Sequence, residues 1–174
     1  TATRCDPISF DSSERIFRYF AGYVLFVLGC ADLAAALYRD EAKIMARDGY
    51  VGDAAWFEAC AAGAEGNAAV CLVGLRKTVE TARRHGDVRR MFLGYIGISE
   101  SLSDLGNAEG AEEAARRAVE IAASRGYMCY HADALAAHAA ALAALGRGGA
   151  ARIVAEDALA IIQPLGSVVV ERKA

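Results

Sequence analysis

Glycines divide this chain at a fixed interval, and that interval limits what it can fold into. Gly66, Gly106 and Gly146 stand forty residues apart, and Gly86, Gly126 and Gly166 keep the same step. Within each unit the two glycines are twenty residues apart, and Gly29 and Gly49 repeat that spacing upstream, in a unit offset by 37 residues rather than forty. The intervening residues fall into register as well. Five past the first glycine stand Ala34, Cys71, Ala111 and Ala151. Ten past it stand Arg39, Arg76, Arg116 and Glu156, and thirteen past it Ala42, Val79, Val119 and Leu159. Small, charged and apolar columns in register four times are the mark of an internal repeat.

Each unit reads as two helices. The chain has 39 alanines and only 2 prolines in 174 residues, and alanine has the highest helix propensity of any residue. Glycine adopts the left-handed conformation without a Cβ clash, so Gly29, Gly66, Gly106 and Gly146 are expected to end first helices. Gly49, Gly86, Gly126 and Gly166 are expected to end second ones, with Pro164 marking the last stop. Over 108–125, Ala111, Ala115, Ala118, Val119 and Ala122 share one face; Glu109, Glu112, Glu113, Arg116, Arg117 and Glu120 cover the other. That spacing predicts the exposed pairs Glu112–Arg116 and Glu113–Arg117. Eight helices result, with room for a ninth beginning in Ser167–Ala174. The expected organisation is a tail over 1–11, a repeat domain over 12–166 and an extension over 167–174. The repeat domain divides into units at about 12–49, 50–86, 87–126 and 127–166.

The remaining composition excludes several function classes. A net charge of −3 supplies no basic field for nucleic acid. The clustered Arg83, Arg84, Arg89 and Arg90 read as solvated helix ends on either side of a turn, with Asp87 as the N-cap that opens the next helix. Five cysteines without C-x-x-C spacing read as buried free thiols in a reducing cytoplasm. The run Tyr19–Tyr38 carries one charge, Asp32, and is long enough to span a bilayer. Asp32 inside it, the absence of a basic flank and the turn expected at Gly29 argue against a membrane span. The chain begins with Thr1 rather than Met, as expected of a processed product or of a piece excised from a longer protein. Gly146-Arg147-Gly148-Gly149 lacks the lysine and preceding strand of a phosphate loop. His131 and His138 are two helical turns apart, about 10 Å, too far to share one metal directly. No catalytic residue, metal or cofactor is expected.

The register resembles the tetratricopeptide repeat. The third unit carries that family's helix positions on Tyr95, Ile98, Ser99, Gly106, Ala111, Ala115 and Ala118. The fourth carries them on Leu135, His138, Ala139, Gly146, Ala151, Ala155 and Ala158. The second unit fits less closely, and the first puts Arg18 and Glu41 at normally apolar or small sites. The forty-residue period exceeds the family's usual 34, and is similar to the longer repeats of MalT-type and LuxR-family bacterial regulators. The resemblance implies an all-α, right-handed superhelix of four antiparallel helix pairs, with first helices lining a concave groove. Carried over by register, the groove takes Tyr19, Tyr23 and Phe26 from the first unit, then Trp56 and Cys60. It continues with Ile96, Glu100, Ser103 and Asp104, and ends on Asp133, Ala136 and Ala140. The basic clamp of the family's chaperone-tail binders has no counterpart at these positions.

The expected function is therefore a non-catalytic protein-interaction or sensory domain from a larger bacterial regulator. Its expected partner is an apolar or amphipathic helix, with basic residues to meet Glu100, Asp104 and Asp133. The alternative is a homo-oligomerisation module that uses the aromatic N-terminal hairpin. Tyr19, Tyr23 and Phe26 are open to a groove, a preceding segment or a second subunit.

Overall fold

The structure is a computed structural model that describes residues 13–126 and 128–163, with side chains from Phe17 onward. The expectations for 1–11, Pro164, Gly166 and 167–174 lie outside the described residues. Eight α-helices account for the regular structure among them: α1 (Ser13–Val27), α2 (Ala31–Arg47), α3 (Val51–Ala64), α4 (Ala68–His85), α5 (Val88–Asp104), α6 (Ala108–Arg125), α7 (Met128–Ala144) and α8 (Gly148–Ile162).

The turns explain the glycine interval. Gly29, Gly49, Gly66, Gly86, Gly106, Gly126 and Gly146 all have positive φ. At Gly66 the glycine N–H donates to the Gly63 carbonyl at 3.0 Å, and the next residue, Asn67, donates to Ala62 at 2.8 Å. This pair of bonds satisfies carbonyls that a helix end would leave open. Asn67 then caps the following helix, its side-chain oxygen accepting from Val70 N at 3.2 Å. Asn107 does the same for Gly110 N at 2.9 Å, and Asp87 for Arg90 N at 2.9 Å. One glycine and one residue after it close one helix and start the next. The run Tyr19–Tyr38 is accordingly folded back at Gly29, and no helix among the described residues is long and apolar enough to cross a membrane.

The chain divides into two compact units, at Met91 and Phe92. In the first, α1 packs on α2, α2 on α3 and α3 on α4. Tyr38 sits at its centre, its ring 6.1 Å from Tyr19 and 6.2 Å from Phe57. A Cβ on Gly22 would stand 2.5 Å from the Tyr38 ring, so only glycine lets α1 approach so closely. Burial pushes the Tyr38 phenol well above its ordinary range, and its hydroxyl donates to the Tyr19 carbonyl at 3.3 Å. The two residues that break the repeat pattern here meet each other: Arg18 Nη1 donates to Glu41 Oε1 at 2.7 Å, and Glu41 is buried. A charged residue in a packing column is tolerated because its partner stands in a neighbouring one.

The packing of α3 against α4 is similarly close. A Cβ on Gly74 would lie 2.9 Å from Ala59 Cβ and 3.2 Å from the Ala55 carbonyl oxygen. Glycine to alanine in a helix interior ordinarily stabilises by about 1 kcal/mol. Here the obstacle is backbone, which cannot swing aside as a side-chain tip can, and overpacking costs about 1–3 kcal/mol. Gly74→Ala should therefore lower the thermal midpoint, followed by the fluorescence of Trp56 on α3. A raised midpoint would mean that α3 and α4 separate freely.

In the second unit α6 packs on α7 and α7 on α8. Its core gathers Phe92 and Ile96 against Ala118, Ala122 and Ala134. Phe92 is fully buried and stacks on Tyr130 with ring centroids 4.9 Å apart. The Ser99 hydroxyl donates to the Ala111 carbonyl at 2.9 Å, tying α5 to α6. The small column Ala34, Cys71, Ala111 and Ala151 is buried throughout, which is where close helix approach needs small side chains.

Two charge assignments differ from expectation. Arg90 is not a solvated helix end. It is buried, and its Nη1 pairs with Asp53 Oδ1 on α3 while its Nε stands 3.7 Å from Asp87 Oδ2. Glu112 does not pair with Arg116, which binds Glu113 and Glu120 instead. Glu112 Oε1 lies 2.9 Å from His138 Nε2, half-buried between α6 and α7. The pair Glu113–Arg117 is present as expected, at 3.0 Å. Cys30 and Cys129 are exposed rather than buried. Cys30 occupies the N-cap position of α2, where the chain turns through solvent.

Candidate functional site

The second unit contains a cleft of about 300 Å³ between α5 and α7. Residues Ile96, Ser99, Glu100, Ser103 and Asp104 form its α5 wall, and Asp133, Ala136, Ala137 and Ala140 its α7 wall. The spacing is that of single helix faces, with steps of three and four residues. Ile96 is buried at the floor and Asp133 is half-buried, while Glu100, Ser103 and Asp104 stand exposed at the rim. Small side chains on α7 leave the space. Ala136, Ala137 and Ala140 present methyl groups where larger residues would fill it.

The cleft thus has an apolar floor and wall with three carboxyl groups on its margins. Glu100 and Asp104 are four residues apart on one helix, so they project on the same side. Asp133 stands on the facing helix. Such a site suits a cation that carries an aliphatic stem, since methylenes can pack on alanine while the charge reaches the rim. Ser99 points its hydroxyl at the Ala111 carbonyl, which commits it to helix packing. Among the described residues, no group of three His, Cys, Asp or Glu side chains is placed to hold a metal ion.

The expected groove residues divide sharply. Ile96, Glu100, Asp104 and Asp133 come together in this cleft. Trp56, expected on the open surface, is instead buried, 6.2 Å from the Tyr19 ring. Tyr19 is half-buried over it, so this pair belongs to the packing of the first unit. Cys60 is partly covered, and burial pushes its thiol well above its ordinary range, with Cys71 nearby adding to the shift. It is therefore held as a neutral thiol. Tyr23 and Phe26 are exposed on α1. Register alone missed Ala137 as a wall of the cleft and placed Ser99 in a packing column. The signal available for both was adjacency, because each precedes or follows a residue already assigned to the groove by one position.

No protein-family model matches this sequence, and no curated protein does.

Proposed function

We propose that this chain is a tetratricopeptide-like interaction domain that receives an amphipathic helix bearing basic residues. The observation that supports this reading is the acid-rimmed apolar cleft between α5 and α7. An apolar floor gives a helix face something to bury, and three carboxylates on two helices favour lysine or arginine at its flank. Exposed charges of this sort act mainly on encounter rate and selectivity, and their effect falls as salt screens them. The wider reading, a sensory or interaction part of a larger bacterial regulator, rests on the forty-residue period and its resemblance to such proteins.

The test uses two synthetic amphipathic helical peptides with the same leucine and alanine face, one flanked by lysine and the other by glutamate. Calorimetric titration should show binding of the lysine peptide alone, weakened by added salt. Asp133→Asn, or Glu100→Gln with Asp104→Asn, should raise its Kd by roughly tenfold, about 1.4 kcal/mol. Equal binding of both peptides, or binding indifferent to these substitutions, would remove the cleft from the account.

A further inference from the structure

The outer face of α1 carries an apolar stripe that the first unit leaves mostly exposed, with Phe20 touching the Tyr19 ring edge-on. Phe17, Phe20, Val24 and Val27 follow one another at steps of three, four and three, which is the a/d pattern of a coiled-coil seam. They are 72%, 55%, 52% and 64% exposed, and Leu28 beside them is 71% exposed. The other side of the same helix is already engaged, through Gly22 against Tyr38 and Tyr19 against Trp56. In α3 the matching positions, thirty-seven residues on, include Phe57 and Ala61, both buried in the first unit. The repeat therefore places on α1 a face that is covered when a helix lies beside it.

We infer that this stripe pairs with the α1 stripe of a second copy of the chain, the two helices running antiparallel. Size complementarity argues for the second copy and for its direction. Antiparallel pairing about the level of Gly22 sets Phe20 against the partner's Val24 and Phe17 against the partner's Val27. Each contact then joins a large residue to a small one, the arrangement that fills a helix interface evenly. Parallel pairing would crowd phenylalanine on phenylalanine and leave valine facing valine. Opposed helix directions also set the two macrodipoles favourably. The inner helices carry alanine at 61 and 141, where α1 carries Val24. The face on α1 is thus built for an interdigitating seam, with bulkier knobs than the inner helices use.

The area is sufficient. The exposed parts of these five side chains amount to roughly 550 Å² per chain, so two copies would remove on the order of 1,100 Å², just above the lower bound of about 1,000 Å² for a specific interface. An interface at that lower bound falls in the size class of weak, reversible association.

Sedimentation equilibrium of the full chain, from about 1 to 200 µM, should show a monomer–dimer equilibrium. Phe20→Asp and Val24→Asp should each raise its Kd by roughly 100-fold, because each buries a carboxylate in the seam. Both residues are exposed, so circular dichroism and the thermal midpoint of the monomer should stay unchanged. Direction is read by disulfide trapping in a background with Cys5, Cys30 and Cys129 changed to serine. A mixture of Phe17→Cys and Val27→Cys chains should cross-link. Either variant alone should not, since its two thiols would lie about 15 Å apart along the seam. A monomer across the whole range overturns the inference and assigns the stripe to a helix of another protein or of another part of this one. A dimer that survives both aspartate variants, or cross-linking of Phe17→Cys alone, overturns it equally.

Discussion

Asp53→Leu should destabilise the first unit by about 3–5 kcal/mol, the range for removing one partner of a buried ion pair. Arg90 and Asp53 are both buried, on α5 and α3, and Arg90 Nη1 meets Asp53 Oδ1 directly. Burial draws the guanidinium's pKa below its ordinary value, while Asp53 and Asp87 oppose that shift. Arginine keeps its charge even so, and Asp87 is a longer contact, with Arg90 Nε 3.7 Å from its Oδ2. The residual cost is the desolvation of a cation that has lost its direct ion-pair partner. The double variant Asp53→Leu with Arg90→Met should recover most of the loss, since apolar replacement of a buried pair is often neutral or stabilising. Urea unfolding followed by the fluorescence of Trp56, three residues from Asp53 on α3, measures all three proteins. A double variant no more stable than Asp53→Leu would show that the ion pair is not what stabilises the contact between these helices.

Phe92→Ala should cost the second unit about 3–5 kcal/mol, the range for truncating a buried phenylalanine. The residue is fully buried and stacked on Tyr130. Its buried neighbours Ala118, Ala122 and Ala134 have no rotatable side chain that could swing into the space, so only Ile96 and the partly buried Leu93, Val119 and Ile121 could relax into it. A cavity that cannot collapse retains its full cost, whereas one lined by leucine or methionine relaxes. Phe92→Leu keeps part of the volume and should lose much less. Thermal unfolding followed by circular dichroism should therefore rank wild type, then Phe92→Leu, then Phe92→Ala. A loss under about 1 kcal/mol for Phe92→Ala would mean that α5 and α7 close over the gap.

The helices and their turns were legible because both depend on near neighbours. Glycine marks each left-handed turn, at steps of twenty residues except the seventeen from Gly49 to Gly66, and Asn67, Asp87 and Asn107 mark the caps that follow, all within five residues of the bonds they make. The α5–α7 cleft was legible in part, since register placed Ile96, Glu100, Asp104 and Asp133 on matching helix faces. Trp56 was not. Its position in the register matched a groove, yet the large ring of Tyr19 covers it, and the register carries no information about which neighbour is large enough to do so. The α1 stripe was present in the spacing of Phe17, Phe20, Val24 and Val27. Spacing alone does not show that this stripe is exposed, because an a/d pattern looks the same whether its face is covered or open.

What the sequence determined by itself is therefore where this chain turns and which residues share a helix face, because backbone conformation responds to residues within one or two turns. Tertiary structure alone decided which charges meet. Arg18 finds Glu41, Arg90 finds Asp53 and His138 finds Glu112 across helix contacts, more than twenty residues apart in each case. Each of these residues looks, in its own helix, like an ordinary surface charge or a misplaced polar group. Only the approach of a second helix, set by alanine and glycine at the contact columns, removes water from the pair and makes the partner necessary.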